Sequence, residues 1–442
     1  MMRHGVGLDV KREIIYSSFV KNVAELTGTT AFGQIITLLM VPIVARLYGP
    51  ENFGVAASIL ALVNIFSVIS TLRYHHAVVI SKNSSEAEVI MRLGLMIAVG
   101  LMLIELAILL LANRYYSEQL NIWLSEQWAL LFWAPVLAFF TGAIQLLNAW
   151  RTREKEYRIV GKAAIARSAM VPGSRIVFAH TMGAAPCWLI ISIGLGLIVE
   201  IIMLGVGKIY KIFRFVGHDF FRGPIWRLAK KYKDFPFYSA PEAMINNFSN
   251  QLPIFMLGIM YSPEIVGLYF LAIRLIKMPV YALNKAVRQV FLQKTAELRN
   301  REATVYSPFI KSTLGLLLLG VIPFILLMFL AEPLFELLMG EEWRESGRYA
   351  VILAPWIFAG LVSVPAQTTF VVFRKQARWL IYKVGLFLAR AGSLLLGYMC
   401  GMDSFTVVAI FSGVNTVYNV VIIFIAFNIV KQNSVVPRPV IG

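Results

Sequence analysis

Long apolar segments alternate along this chain with short polar gaps, and almost every basic residue falls into alternate gaps. Twelve apolar segments are about 20 residues long or longer, enough to cross roughly 30 Å of hydrocarbon at 1.5 Å per helical residue. They cover residues 22–47, 53–72, 93–112, 127–148, 159–180, 186–207, 235–261, 265–291, 309–331, 349–372, 379–401 and 405–430. The pattern predicts an all-α integral membrane protein with twelve transmembrane helices.

The gaps also predict the orientation, because Lys and Arg accumulate in cytoplasmic loops. The basic set of gaps includes residues 151–162, 208–233 and 285–311. The other set contains an acidic cluster at 332–345, and its only basic residues are Arg46, Arg114, Arg344 and Arg348. Both termini are therefore predicted to be cytoplasmic.

Composition agrees with a membrane protein and excludes other classes. The chain is 58% hydrophobic and 15% charged, with a mean hydropathy of +0.72. Its net charge of +17 lies mostly in cytoplasmic gaps, where it faces anionic lipid, so no nucleic-acid partner is expected. The sequence has no phosphate-binding loop, dinucleotide fingerprint or ligand spacing for a metal, and we expect neither enzymatic activity nor a cofactor.

The longest polar gap divides the chain into two predicted six-helix lobes, residues 1–207 and 235–442, joined by a basic cytoplasmic linker at 208–234. A faint repeat supports two pseudo-symmetric halves. Tyr, Pro, Glu and Gly recur at a shift of 213 residues, in the segments 48–54 and 261–267. An even number of helices in each half gives both the same orientation, an arrangement in which the halves commonly enclose a central cavity.

Charged residues inside the predicted spans indicate where a ligand would bind, because an ionised side chain at the bilayer centre costs at least ~2.5–3.5 kcal/mol. The intramembrane cations, which exceed the acids at matching depth, are Arg167, Arg274, Lys277 and Arg390. Polar residues that share a helix face with such charges are Asn246, Asn250, Tyr281 and Asn284. These stripes have two interpretations: an interhelical polar seam that only holds the bundle together, or a site for an anion such as a phosphate.

Other polar positions have weaker interpretations. Glu25 and Glu242 are candidates for ion coupling, although Glu25 could equally pair with Lys21 on the cytoplasmic rim. His75 and His76 end the second span without other ligands at suitable spacing, so no metal site is expected. Four arginines are predicted at the cytoplasmic rim, namely Arg73, Arg151, Arg288 and Arg374.

Two short motifs carry a family resemblance. The turn from Leu47 to Gly54, with its Tyr-Gly-Pro-Glu core, and the Leu72-Arg73-Tyr74 end of the second span resemble the polysaccharide biosynthesis family of lipid-linked oligosaccharide flippases. This family belongs to the superfamily of the multidrug and toxin extruders and the lipid II flippase. His75 and His76 depart from the family pattern, since relatives often carry an acidic residue after the tyrosine.

The resemblance implies a twelve-span bundle of two lobes in the bacterial cytoplasmic (inner) membrane. Such a protein moves undecaprenyl-diphosphate-linked glycan repeat units from the inner to the outer leaflet, for O-antigen, capsule or exopolysaccharide assembly. A polymerase and a chain-length regulator of the same pathway are implied partners. The diphosphate would bind the intramembrane Arg and Lys residues, the sugars would contact polar side chains in the cavity, and the prenyl tail would remain in membrane lipid.

Three alternatives compete with this hypothesis. A cation-coupled multidrug exporter of the same fold should have an acidic cavity, whereas this one is predicted to be basic. An oligosaccharide polymerase or ligase generally has a large extracytoplasmic loop, and the longest such gap here is short. A scaffold subunit without transport activity would leave the intramembrane cations unexplained.

Topology reporters test the predicted orientation. A basic gap should remain on the cytoplasmic side of the membrane when a reporter is fused after it. We expect an outside signal after Gln119, Gly183, Glu341 and Asp403. We expect an inside signal after Lys155, Phe220 and Arg299. A consistent reversal at these sites would contradict the twelve-span arrangement.

Overall fold

The computed structural model describes residues 6–123, 128–206, 224–301, 304–373 and 375–434. In these ranges the chain is almost entirely helical. The helices are α1 (Val6–Ile69), α2 (Tyr74–Ile80), α3 (Ser84–Trp123), α4 (Trp133–Arg153), α5 (Tyr157–Met182), α6 (Pro186–Gly205), α7 (Pro224–Lys231), α8 (Ala240–Met260), α9 (Pro263–Asn300), α10 (Tyr306–Met339), α11 (Arg344–Val362), α12 (Val364–Val372), α13 (Gln376–Met399) and α14 (Ser404–Ser434). Short 3-10 or π turns cover Trp128–Phe132, Phe235–Ser239 and Glu341–Trp343.

The helices explain how this sequence enters lipid, where every backbone polar group needs a partner within its own segment. Among the described residues, nine helices are long and apolar enough to cross a membrane. Helix α10 shows the typical surface, because Leu318, Ile322 and Phe329 are 70%, 65% and 77% exposed. Apolar side chains at such positions face acyl chains rather than a protein core. The chain is therefore a multi-pass membrane protein.

The twelve predicted spans correspond to helices in a less regular way. The first two fall in the single helix α1, which is broken at Gly49, where φ is 70°. The fifth and seventh predicted spans correspond to α5 and α8. These two helices are too polar to be counted among the nine membrane-crossing helices. The tenth is interrupted at Ser363, between α11 and α12, just before Pro365. The number of spans and the position of the termini remain predictions.

The described helices form two compact units. Unit 1 comprises Met1–Tyr48 and Val55–Gln251, and unit 2 comprises Gly49–Gly54 and Leu252–Gly442. Each has its own buried apolar core. The largest fully buried side chains of unit 1 are Ile59, Ile90, Met91, Leu137, Leu146 and Leu189. Those of unit 2 are Phe309, Trp343, Tyr349, Phe370 and Phe411.

The last part of the predicted linker, α7, packs against other residues of unit 1. Residues 207–223, most of the linker, lie outside the described ranges, but α7 packs against the start of α3. There Lys231 forms an ion pair with Glu86. The pair raises the pKa of Lys231 by hydrogen bonding. The hydroxyl of Tyr74 donates to the Ala229 carbonyl at 3.3 Å.

The two repeated turns meet each other inside unit 2. A Cβ atom added to Gly54 would overlap the carbonyl oxygen of Pro263, and one added to Gly267 would overlap the carbonyl oxygen of Pro50. Each glycine thus lies against the proline of the other repeat. The sequence repeat has a structural counterpart, in which close backbone contact requires a residue without a side chain at both positions.

Replacing Gly54 by Ala should destabilise the protein, because backbone atoms on Pro263 cannot move aside as a flexible side chain would. Overpacking of this kind costs about 1–3 kcal/mol. We expect a lower unfolding temperature in detergent for Gly54→Ala and for Gly267→Ala. Gly100→Ala is the matched control, since nothing lies within 4 Å of an added Cβ there. Equal unfolding temperatures in all three variants would contradict the close contact.

Candidate functional site

Two cations of unit 2 lie against one indole ring. Lys277 of α9 places Nζ 4.4 Å from the ring centroid of Trp356 in α11. The guanidinium carbon of Arg390 in α13 lies 5.5 Å from the same centroid. The face of an indole attracts a cation at such distances, by about 0.5–2 kcal/mol. Trp356 therefore holds two like charges near each other, and these three residues are named the cation cluster below.

Arg390 is held in place by an asparagine of α14. Its Nε donates to Asn415 Oδ1 at 2.7 Å. The amide of Asn415 donates in turn to the Phe411 carbonyl at 2.7 Å, which fixes its orientation. Arg390 is 8% exposed and Asn415 is fully buried. The guanidinium is therefore oriented by the protein before any ligand arrives.

A chain of hydrogen bonds continues from Asn415 to Arg288 of α9. Asn419 Nδ2 donates to the Asn415 carbonyl at 2.8 Å, and Ser363 Oγ donates to Asn419 Oδ1 at 2.9 Å. Gln367 Nε2 donates to Ser363 Oγ at 3.0 Å, and Arg288 donates to Gln367 Oε1 at 3.1 Å. The interruption between α11 and α12 thus brings polar side chains from three helices into one network.

Carboxylates are remote from the cation cluster. Helices α13 and α14 contain no Asp or Glu, and α9 and α11 carry theirs only near their ends, at Glu264, Glu297 and Glu345. Glu264 lies thirteen residues before Lys277, about 20 Å along a helix. Lys277 forms no ion pair with a carboxylate of the described residues. The cluster is a site of net positive charge, to which an anion would be attracted.

The remaining residues of the predicted stripe on α9 are less enclosed. Arg274 is half-buried, with its guanidinium carbon 5.8 Å from the Phe270 ring centroid. Tyr281 is 65% exposed. Asn284 is half-buried, and its Oδ1 has no hydrogen-bond partner among the described residues. The structure therefore brings Lys277 and Arg390 together, whereas Arg274 has its own aromatic neighbour.

The intramembrane cation of unit 1 has a different environment. Arg167 of α5 donates to Glu200 of α6 at 3.0 Å, and the carboxylate is almost fully buried. This pair has no net charge, so Arg167 attracts an anion less than the cation cluster does. The excess of cations over acids predicted from the sequence lies in unit 2.

The predicted rim arginines differ in what they contact. Arg151 is 2% exposed and donates to the carbonyls of Leu204 and Val206, which end α6. It caps the end of α6 and also forms an ion pair with Glu156, and its position at the cytoplasmic rim stays a prediction. Arg73 has φ of 64° and donates to Ser239 Oγ at 3.4 Å. Arg374 lies outside the described residues.

The remaining predicted polar residues lie on α1 and α8. Glu25 lies in α1, and the position of its side chain is outside the described part of the structure. Glu242, Asn246 and Asn250 are exposed on α8. No group of three or more His, Cys, Asp or Glu residues in the described ranges could hold a metal ion.

Sequence reasoning missed Trp356 and Asn415. Asn415 and Asn419 lie four residues apart in an otherwise apolar helix, a spacing that puts both on one face and signals a buried polar contact. Trp356 is a tryptophan inside a span rather than in an interfacial belt, which was a second signal. Neither pattern names a partner, because the partner helices are distant in sequence.

Two histidines of unit 1 lie at the start of α2, where His75 is half-buried and His76 is exposed. Thr71 Oγ1 lies 2.9 Å from His75 Nδ1, and the His75 and His76 ring centroids are 4.2 Å apart. The His76 ring stacks on Phe235 at 6.0 Å. Burial, with smaller contributions from His76 and Arg73, lowers the pKa of His75 to about 3. Both rings are therefore neutral in the folded protein at neutral pH.

Comparison with known proteins identifies the family. Residues 43–348, more than half of the chain, match the family described as "Polysaccharide biosynthesis protein". No curated protein matches the chain in sequence.

Solved structures share the fold at low sequence identity. The lipid II flippase MurJ in an inward closed conformation is 14% identical, covers 92% of this chain and 90% of its own, and has a TM-score of 0.70. An inward-facing multidrug resistance MATE transporter of the MOP superfamily is 12% identical over 90% of this chain and 95% of its own, with a TM-score of 0.64. A MOP superfamily transporter from Pyrococcus furiosus is 14% identical over 94% and 97%, with a TM-score of 0.61. The chain has the fold of these transporters.

The lowered pKa of His75 predicts a pH-dependent stability. Below pH 6.5 the unfolded chain binds a proton at His75 that the folded protein excludes until about pH 3. Stability should therefore fall as pH decreases through this window, by at most about 1.4 kcal/mol per pH unit. Unfolding temperatures in detergent between pH 8 and pH 5 should decline in the natural protein and decline less in His75→Asn. His180→Asn, at an exposed position, should keep the natural slope; an unchanged slope in His75→Asn would refute the assignment.

Proposed function

The chain belongs to the polysaccharide biosynthesis protein family, and on that premise we propose that it is a flippase for undecaprenyl-diphosphate-linked oligosaccharide repeat units. It moves them from the inner to the outer leaflet of the bacterial cytoplasmic membrane, for assembly of a surface polysaccharide such as O-antigen, capsule or exopolysaccharide. A polymerase and a chain-length regulator act next in the same pathway. Both termini lie in the cytoplasm, and the two lobes alternate in access to the two sides.

The cation cluster is the observation that supports this substrate. A lipid-linked oligosaccharide carries its negative charge on the diphosphate, and its sugars are neutral or nearly so. Lys277 and Arg390 supply two positive charges within one site, and Arg390 is oriented by Asn415. A guanidinium fork and an ammonium group are the side chains that proteins use most for phosphate oxygens.

The remaining polar residues would serve the sugars. Asn246, Asn250, Tyr281 and Asn284 offer amide and hydroxyl groups, which exchange hydrogen bonds with sugar hydroxyls. Arg274 adds a third cation along the same helix as Lys277, one turn away. Arg167 contributes less to substrate binding in this scheme, because Glu200 neutralises it.

A multidrug exporter of the same fold is the second candidate, supported by the likeness to a MATE transporter. That likeness concerns the fold. An organic cation would be repelled by Lys277 and Arg390, since the helices around them carry no carboxylate nearby. The sign of the charge in unit 2 therefore favours an anionic substrate.

Neutralising the cluster should stop glycan export while the protein remains inserted. A charge-assisted hydrogen bond contributes about 1.5–3 kcal/mol, so Arg390→Gln or Lys277→Gln should weaken diphosphate binding roughly 10- to 100-fold. Surface polysaccharide should fall, and lipid-linked repeat units should accumulate in the inner leaflet. Arg390→Lys should rescue little if paired hydrogen bonding matters.

The matched control is Arg301→Gln, which removes an arginine that is 73% exposed and paired with Glu297 at 2.8 Å. Export should be unchanged in this variant. Membrane levels of each protein, measured by immunoblot, separate loss of transport from loss of folding. Normal surface polysaccharide in an Arg390→Gln, Lys277→Gln double variant would refute the anionic site.

A further inference from the structure

Two glutamates are buried in unit 1, and they differ in their partners. Glu200 is 6% exposed and pairs with Arg167 at 3.0 Å. Glu105 of α3 is 5% exposed, and its Oε1 has no hydrogen-bond partner among the described residues. No described cation forms an ion pair with Glu105. A buried carboxyl without a partner needs an explanation, because its desolvation is not offset by any contact.

Glu105 lies near the centre of the third predicted span. It is the only ionisable residue in the apolar run 93–112, close to the centre of that run. Leu103, Ile104 and Ile108 are 58%, 55% and 56% exposed. The lipid-facing side of α3 is therefore next to the helix face that carries Glu105 and does not include that residue. The carboxyl instead continues the buried face of the helix. That face consists of Ala87, Met91, Gly94 and Ala98.

The surface that faces Glu105 is apolar. Gly94 lies so close to Leu146 of α4 that an added Cβ would be 2.8 Å from its side chain. Consecutive spans run in opposite directions, so Glu105, eleven residues after Gly94, is expected opposite the first turns of α4. The buried residues there are Ala134, Leu137 and Ala138. Between Trp128 and Ala149 the chain has no ionisable side chain.

The charged groups that pack on α3 are at its other end. They are His75 and His76 of α2, Arg227, Lys230 and Lys231 of α7, and Arg151 and Arg153 at the end of α4. Lys231 marks their position, because it contacts Glu86, nineteen residues or about 28 Å before Glu105 along the helix. On α3 itself, Arg92 and Arg114 lie roughly on the opposite face from Glu105 at 100° per residue. None of these groups can neutralise Glu105.

We propose that Glu105 is a proton-binding site, whose carboxyl is protonated while it is enclosed and releases the proton when a conformational change opens it to water. An ionised carboxylate enclosed in apolar surroundings would cost several kcal/mol, and binding one proton removes that charge. Release regenerates the carboxylate, so one proton is taken up and one is released per cycle. Coupling of this proton to export rests on the proposed function; the proton site itself does not.

Carbodiimide labelling tests the proton site without any substrate. Dicyclohexylcarbodiimide enters lipid and reacts with a protonated carboxyl group, giving a stable N-acylurea that mass spectrometry locates. In purified protein in lipid nanodiscs, we expect Glu105 to be labelled and labelling to decline as pH rises. Glu200 is the internal control, equally buried but paired with Arg167, and should remain unlabelled. Absence of label on Glu105 at every pH from 5 to 9, or equal labelling of both glutamates, would overturn the proposal.

The coupling is tested with Glu105→Gln, which has the shape of the protonated acid but cannot release a proton. Inserted protein should be as abundant as the natural form, and carbodiimide should no longer label this position. Glycan export should lose its response to an imposed pH gradient. Export that keeps its full response to the gradient would show that Glu105 does not couple protons.

These two readouts separate the proposals. If Glu105 is labelled as expected but the natural protein exports no glycan, the proposed function fails and the proton site stands. If export is confirmed but Glu105 resists labelling, the flippase assignment stands and the proton site fails.

Discussion

The energetic cost of a charge in hydrocarbon is the constraint from which the rest of this structure follows. Charges that can stay in water collect in the polar gaps, which gives the sequence its alternating pattern. The few that enter the spans are compensated by different means. Arg167 has a carboxylate and Lys277 has the face of an indole ring. Glu105 has no such partner, and in our proposal a bound proton removes its charge.

The two units use their charges differently. In unit 1 Arg167 is only half-buried, and its charge is paired with the buried carboxylate of Glu200. In unit 2 Lys277 and Arg390 share an aromatic ring, and attraction to a ring reduces the cost of burial without cancelling the charge. The positive electrostatic potential of these two side chains would therefore act on a charged ligand that enters the helix bundle. This asymmetry is the reason for proposing anion recognition in unit 2.

The sequence predicted the helical membrane fold and the family, because both depend on patterns that run along the chain. It also named Lys277 and Arg390, since a charge in an apolar run is visible without a structure. It could not predict Trp356 or Asn415 as their partners, because contacts between distant helices leave no periodicity. The same limit applies to Arg151, because its hydrogen bonds to the end of α6 are not visible in the sequence. Gly49 interrupts α1 at the place where the sequence predicted the boundary between the first two spans.

The contact between the two repeated turns has a consequence for synthesis. Gly54 meets Pro263, a residue that the ribosome adds more than two hundred residues later. At about 5–20 residues per second, this partner arrives roughly 10–40 s after Gly54. During that interval the turn at Pro50 has been synthesised, but the backbone of Gly54 lacks its contact with Pro263. The contact between the two turns can therefore form only after the start of α9 has been synthesised, and a chain that ends before α9 lacks it.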